Sequence, residues 1–197
     1  RSYTSATAGI QVNINVTSNN VHSVTIPQGF KFLSTSANGS FIFSTGEPYV
    51  VERNANNQFI ANIDIHEGFL LTEKYIANTS INAQRFVISN DRIDINSLEV
   101  LVAPTVLEQE NATEYLFTTS IYSLNGNSEI FYLQACENNK YEIIFGDNVF
   151  GKTPENGNVI IANYRISSGN TVNGVSNFTA QATVDGYTIS TTTLSNA

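Results

Sequence analysis

One segment of the sequence carries residues in a pattern that could hold a phosphate group. Residues 146–153 fit the phosphate-loop pattern G-x-x-x-x-G-K-[ST] letter for letter, directly after an apolar stretch, Tyr141–Phe145, that favours a strand. In such loops the free N–H groups at the start of a helix bind the phosphates, and the lysine adds a positive charge. The pattern therefore offers the chemistry of a nucleotide hydrolase, with Lys152 and Thr153 as the residues that would contact the nucleotide.

The residues after the pattern argue against that chemistry. Pro154 disfavours helical angles at Thr153, and residues 155–158 have the composition of a turn that leads directly into a further strand from Val159. No stretch is left for the helix on which phosphate binding depends. The sequence therefore predicts a long hairpin loop between two neighbouring strands, in which the glycines allow backbone angles that other residues avoid.

Other reactive residues have the wrong spacing for a site. Asp94 and Asn96 could begin a calcium loop, but the positions that follow lack the required oxygen ligand and glycine. His22 and His66 are far apart in the sequence, and a single cysteine, Cys136, can form neither an internal disulfide nor a zinc site of four cysteines. A carboxylate pair for glycoside hydrolysis stays open, because its spacing is spatial. We expect no catalytic residue, no cofactor and no metal, and hence no enzyme.

The composition narrows the class of partner. Only 13% of the 197 residues are charged, yet 17 acidic residues outnumber 9 basic ones and give a net charge of -8. This balance repels phosphate and argues against nucleic acid as a partner. Asn (26 residues) and Ser with Thr (39 residues) supply a neutral, hydrogen-bonding surface. No apolar run approaches a membrane span, so we expect a soluble protein without a membrane partner. Because Met is absent, even at position 1, we expect a segment of a longer chain or a processed product.

The elements that must position all these residues are strands. Apolar and polar residues alternate with period two along most of the chain, and helical periodicity is nearly absent. Strands are predicted at 10–16, from 24 up to Pro27, at 30–32 and 41–43 on either side of Asn38-Gly39, and at 59–65, 69–76, 85–88, 97–102, 130–135, 141–145, 159–167 and 180–189. Turns are predicted at Asn38-Gly39, 137–140 and Asp185-Gly186, and residues 104–113 form a short helix or an irregular connection.

These elements predict a mainly β fold of antiparallel sheets and hairpins with at most short helices. The chain is expected to form a single β-rich module. It could divide further into two packed sub-domains, residues 1–80 with 175–197 and residues 81–174.

Three stretches, taken in order, resemble one known family. Residues 141–174 show a strand ending in F-G-D, a G-K-x-P segment and a strand ending in Y-R, with Asn148 in a place where glycine is usual. The matching positions are Phe145, Gly146, Asp147, Gly151, Lys152, Pro154, Gly157, Ile160, Tyr164, Arg165 and Gly169. Residues 24–32 resemble V-T-I-P-x-G-T-x-F, and a third match lies within residues 66–100. The sequence thereby resembles the baseplate J-like family, which includes the baseplate wedge proteins of contractile-tailed bacteriophages.

The resemblance implies a structural protein of the virion, located in the tail baseplate and assembled in the cytoplasm of the bacterial host. Its partners would be other wedge subunits and copies of itself, in a ring around the hub, and residues 145–165 would form a structural hairpin. Family members typically carry helical segments at both ends of this module, so we expect the two ends of the chain to lie near each other. The strand at 10–16 and the one near 180–184 are the predicted neighbours there. An alternative, suggested by the Asn, Tyr and Thr content, is a carbohydrate-binding adhesin of a tail or cell surface.

Overall fold

The computed structural model of this chain is mainly β, as the alternation predicts. It describes residues 3–36, 39–81, 84–172 and 174–197. Asn38 of the predicted Asn38-Gly39 turn lies outside the described residues. Strands make up 50% of the structure and helices 4%. In chain order the strands are β1 (Thr7–Ile14), β2 (Ser23–Ile26), β3 (Lys31–Ser36), β4 (Gly39–Thr45), β5 (Tyr49–Glu52), β6 (Phe59–Glu67), β7 (Phe69–Ile76), β8 (Phe86–Val87), β9 (Ile93–Ala103), β10 (Thr113–Phe117), β11 (Ile130–Ala135), β12 (Tyr141–Phe145), β13 (Val159–Ile166), β14 (Thr179–Ala180) and β15 (Ile189–Ser195).

The helical content consists of short 3-10 turns. Within the described ranges these turns are Gln109–Asn111, Glu137–Asn139 and Gly169–Val172. The first lies inside segment 104–113, for which a short helix or an irregular connection was expected. No helix in the described part of the chain is long and apolar enough to cross a membrane.

The chain forms two compact units. Residues 3–70 with 166–197 form one, here called the terminal unit, and residues 71–165 form the other, here called the central unit. The boundaries fall within β7 and near the end of β13. The division derived from the sequence has the same discontinuous order but places the boundaries after residues 80 and 174.

The terminal unit is built on a six-stranded sheet in the order β14-β3-β4-β6-β1-β15, and β2 pairs with β5 in a separate ribbon. Alternation along β1 buries Ile10, Val12 and Ile14 in its core, with at most 2% of each residue exposed. This is the half-buried strand expected from period-two alternation.

The first and last strands of the terminal unit are neighbours. β1 and β15 pair antiparallel, and the Gly9 N–H donates to Ser195 Oγ at 2.8 Å. The described ends of the chain therefore lie side by side, as expected. The predicted neighbour near 180–184 was wrong: β14 covers only two residues there and pairs with β3. A turn bridged by Val184 and Tyr187 separates it from β15.

The central unit is built on a seven-stranded sheet in the order β7-β13-β9-β10-β11-β12-β8. The hairpin of β11 and β12 has the predicted strand bounds, and Asn138 and Asn139 adopt φ of 60° and 58° in its turn. Asn tolerates this left-handed region better than most residues. One pair, β10 with β11, is parallel, whereas antiparallel pairing had been expected.

The predicted hairpin loop between β12 and β13 was wrong in its topology. β12 is bordered by β11 and β8, whereas β13 lies between β7 and β9. Because both edges of β12 are occupied, residues 146–158 cross three strands to reach β13 instead of folding back on β12. The family-motif positions Phe145, Gly146, Asp147, Gly151, Lys152, Pro154, Gly157, Tyr164 and Arg165 thus belong to two separated strands and the crossover between them.

Candidate interaction site

The segment that matches the phosphate-loop pattern contains no helix. Residues 146–158 are all described, and none of them is helical. The Thr153 N–H donates to Asn148 Oδ1 at 2.9 Å, and its hydroxyl donates to the Gly146 carbonyl oxygen. The hydroxyl that a phosphate loop would offer to magnesium therefore serves the backbone of its own loop.

Close packing of two glycines closes this loop on itself. A Cβ placed on Gly146 would lie 2.2 Å from the carbonyl carbon and oxygen of Gly151, much closer than side chains ever approach. The Asn148 N–H donates to the Gly151 carbonyl oxygen at 2.8 Å. The space that phosphate would need between the glycines is occupied by the backbone of the chain.

Asp147 acts as a local cap of the same loop. Its Oδ1 accepts the N–H groups of Phe150 at 2.9 Å and Val149 at 3.0 Å. These backbone hydrogen bonds hold the pKa of the Asp147 carboxyl below its ordinary value. The carboxylate thus fixes the turn that presents Val149 and Phe150 to solvent.

Lys152 is paired with a carboxylate of a neighbouring segment. Its Nζ lies 3.2 Å from Glu129 Oε1 at the edge of a cavity of about 190 Å³, which Glu155 and Tyr115 also line. Burial, reinforced by the charges of Glu129 and Glu155, raises the pKa of Tyr115 to about 12. Two carboxylates against one ammonium group make this cavity unfavourable for a polyphosphate.

The remaining loop residues anchor the crossover to its surroundings. Gly157 has φ of +88° and donates its N–H to the Ala77 carbonyl oxygen at 2.8 Å. Pro154 is buried. Phe145 packs edge-to-face on Phe86 and Tyr115, with ring centroids 5.7 and 5.5 Å apart. These positions are explained by packing and backbone geometry.

Tyr164 contributes to a hydrogen-bonded carboxylate cluster. Its hydroxyl donates to Glu73, which also accepts the Tyr75 hydroxyl at 2.6 Å and the hydroxyl and N–H of Ser89 at 2.6 and 3.1 Å. Burial alone would raise the pKa of Glu73, but the hydrogen bonds from Ser89, Tyr164 and Tyr75 hold it below its ordinary value. Burial and the same carboxylate raise the pKa of both tyrosines. Glu73 is a saturated acceptor and a poor candidate for a general base.

Arg165, the next motif residue, also has a structural role, which its backbone N–H provides. It is 2% exposed, and its N–H donates to Ser97 Oγ at 2.8 Å. Ser97 in turn donates to the Asp94 carbonyl oxygen at 2.7 Å. Tyr164 and Arg165 thus connect β13 to neighbouring segments of the central unit.

The acidic, histidine and cysteine residues that could act as metal ligands or nucleophiles do not lie together in one site. Asp94 Oδ1 accepts the Asn96 N–H at 3.1 Å, which is a local turn contact. His66 Nδ1 lies 2.9 Å from Thr7 Oγ1, and Cys136 is a free, half-buried thiol. Among the described residues, no group of three or more histidine, cysteine or acidic residues could hold a metal ion.

Sequence reasoning missed an apolar surface on the central unit, here called the apolar tip. It comprises six exposed side chains: Leu116 (61% exposed), Phe117 (52%), Ile121 (57%), Tyr122 (87%), Val149 (60%) and Phe150 (46%). A detectable signal existed, because residues 117–128 contain no charged residue.

The loop that follows β10, residues 118–129, and the motif loop, residues 146–153, carry four of these side chains and are joined by their backbones. The Gly151 N–H donates to the Asn125 carbonyl oxygen at 3.0 Å, and the Lys152 N–H donates to that of Ser128 at 2.8 Å. A Cβ on Gly126 would lie 2.2 Å from the Asn148 carbonyl oxygen. These backbone contacts hold the two loops together, so that the motif loop supports a second, uncharged loop.

No protein-family model and no curated protein sequence matches this chain.

Proposed function

We propose that this chain is a structural module of the tail baseplate of a contractile-tailed phage, which contacts neighbouring wedge subunits. The proposal rests first on the resemblance of residues 24–32, 66–100 and 141–174 to the baseplate J-like family. The motif residues in the last stretch have structural roles that need no ligand. Gly146, Asp147 and Gly151 shape the loop, while Tyr164 and Arg165 tie β13 to its surroundings.

The apolar tip is the observation that carries a role in protein contact. Single exposed apolar residues are ordinary, but four on two joined loops, with two more at the end of the adjoining strand β10, are typical of an interaction surface. Because Leu116 and Phe117 are consecutive in β10 and point to opposite faces, at most five of the side chains share one face. With roughly half of each accessible, these five offer about 500 Å² of apolar surface, against the ~800 Å² that each partner contributes to a stable interface. The chain is acidic, and within the tip Lys152 is paired with Glu129, whereas Asp147 is held in its ionised form by backbone N–H groups. A mainly apolar partner surface fits the tip best.

The position of the ends supports the same function. β1 and β15 are adjacent, so flanking segments would emerge side by side and could pack together. This is the arrangement that the resemblance implies for a module inserted between helical parts.

Electron microscopy of intact phage particles tests the proposed location. Gold-labelled antibodies raised against the 197-residue chain should bind at the baseplate of the phage that encodes it. Labelling along the sheath, at the head, or on no particle would contradict the proposal.

A binding assay tests the contact surface. We expect saturable binding of the chain to a second wedge subunit, weakened more than about tenfold by Tyr122→Ser with Phe150→Ser, because central aromatic residues dominate interfaces. The matched control is Val106→Ser with Leu107→Ser, which removes two apolar side chains that are 53% and 88% exposed elsewhere on the central unit. Equal loss in both variants would show that general apolar exposure, and not the tip, determines binding.

A further inference from the structure

A second surface, on the terminal unit, has a different chemistry. Along β1, Asn13 faces outward opposite Ser190 of β15 and Ile60 of β6, and Asn15 follows on the same side. The alternate residues Val12 and Ile14 point into the core. The sheet thus presents amide and hydroxyl groups to solvent where β1 ends.

A cavity of about 480 Å³ lies at this rim of the sheet. It is lined where β1 ends and where β6 and β15 begin, with polar groups from Asn13, Asn15, Asn57, Gln58, Thr188 and Ser190. The volume falls within the range of roughly 300–1,000 Å³ that is usual for small-ligand sites. We refer to it as the rim cavity.

None of the residues that line the rim cavity is ionisable. The cavity beside Lys152, by contrast, is also lined by Glu129 and Glu155. A charged ligand would lose its hydration there without gaining a counter-charge, which is costly. The chemistry of the wall therefore favours a neutral ligand.

The amides of the rim cavity are available to a ligand. Across the described ranges, the side-chain amides of Asn13, Asn15 and Gln58 make no hydrogen bond, whereas Gln11, one row away on β1, donates to Asn62 at 3.2 Å. Each free amide offers a carbonyl acceptor beside an NH₂ donor. Val16 and Ile189 also line the cavity, with side chains that pack partly against the core of the terminal unit.

We propose that the rim cavity binds a neutral saccharide. Adjacent hydroxyl groups of a sugar ring each donate and accept, which matches the paired donor and acceptor of an amide, while the C–H groups of the ring suit the apolar side chains of Val16 and Ile189. This site is independent of the apolar tip and of the proposed baseplate function.

Nuclear magnetic resonance titration of the full chain tests the proposal. The probes are maltohexaose, cellohexaose and chitohexaose as neutral sugars, with sialyllactose as a charged comparison. At about 10 mM sugar, which suffices for millimolar affinity, at least one neutral probe should shift the amide signals of residues 13–16, 57–59 and 188–190. Sialyllactose should bind more weakly.

Two nearly isosteric substitutions locate the site. Asn15→Leu and Gln58→Met remove the donor and acceptor at exposed positions, and each should weaken binding roughly tenfold. Asn177→Leu, at an exposed amide of the same unit outside the cavity, should change the affinity less than about twofold. The proposal is overturned if no neutral probe shifts these signals, if the charged sugar binds better, or if the control weakens binding as much as the two cavity variants.

Discussion

Removing one hydroxyl, in Tyr164→Phe, tests whether the carboxylate cluster stabilises the central unit. Tyr164 is fully buried, and its hydroxyl donates to Glu73. The variant keeps the ring and its packing but leaves the carboxylate with the Tyr75 hydroxyl and the two groups of Ser89 as donors. Its effect therefore reports on one hydrogen bond to a charged acceptor.

The expected loss follows from the charge and burial of the acceptor. Hydrogen bonds to charged groups contribute roughly 1.5–3 kcal/mol, and Glu73 is only half-buried, so we expect about 2 kcal/mol less stability. For a chain of this length the midpoint of thermal unfolding should fall by roughly 4–8 °C. Circular dichroism during heating and in urea measures both quantities.

Tyr132→Phe is the matched control in the same unit. The Tyr132 hydroxyl is buried without a hydrogen-bond partner among the described residues. Its removal should change stability by less than about 0.5 kcal/mol or increase it, because an unsatisfied buried polar group is lost. If both variants destabilise the protein equally, the effect comes from losing any buried hydroxyl, and the role given to Glu73 is wrong.

The pH dependence supplies a second check. Hydrogen bonds lower the pKa of Glu73 in the folded state below its unfolded value of about 4.3. The contribution of the ionised carboxylate is therefore fully present above the unfolded pKa and is lost as the pH falls through the folded pKa. The difference between wild type and Tyr164→Phe should be largest near about pH 7 and smaller near about pH 3. A difference that grows on acidification would refute the reasoning.

Three further predictions concern the motif loop. Gly146→Ala forces a Cβ to within 2.2 Å of the Gly151 backbone and should reduce the free energy of unfolding in urea by about 3 kcal/mol. Gly157→Ala meets open space and should lose only about 1 kcal/mol, because of its positive φ. The reverse order would contradict the packing described. Lys152→Ala breaks an ion pair with Glu129 that is well exposed, so we expect a loss below about 1 kcal/mol. Calorimetry with magnesium and ATP should show no binding to the wild type, and micromolar binding abolished by Lys152→Ala would refute the loop assignment.

The sequence predicts local structure better than it predicts strand order. The β11 and β12 hairpin was predicted with its observed bounds because two short, mainly apolar runs flank an Asn-Asn turn within one short segment. The position of β13 between β7 and β9 depends on contacts between distant residues, and the sequence of β13, which is buried almost throughout, carries no information about its neighbours. The same limit hides the Glu73 cluster, since Glu73 and Tyr164 are 91 residues apart.

The last strand was misplaced for a different reason. β15 has the sequence ISTTTLS, in which threonine and serine occupy both faces, so period-two alternation is weak. Its pairing with β1 comes from backbone hydrogen bonds, and the hydroxyls of Thr191 and Thr193 donate to the carbonyl oxygens of Phe178 and Ser176. A scale that scores residues by polarity alone would assign such a segment to a loop, although threonine fits a pleated sheet well.

The phosphate-loop letters illustrate how one pattern can meet two physical needs. In a nucleotide site the glycines leave room for phosphate, and the following helix supplies the N–H groups. Here Gly146 and Gly151 leave room for each other, and Lys152 extends toward Glu129. Both needs select glycine at the same spacing, so the pattern alone cannot separate them. The discriminating residue is Pro154, which lies outside the pattern, is buried, and stands where the helix would have to continue.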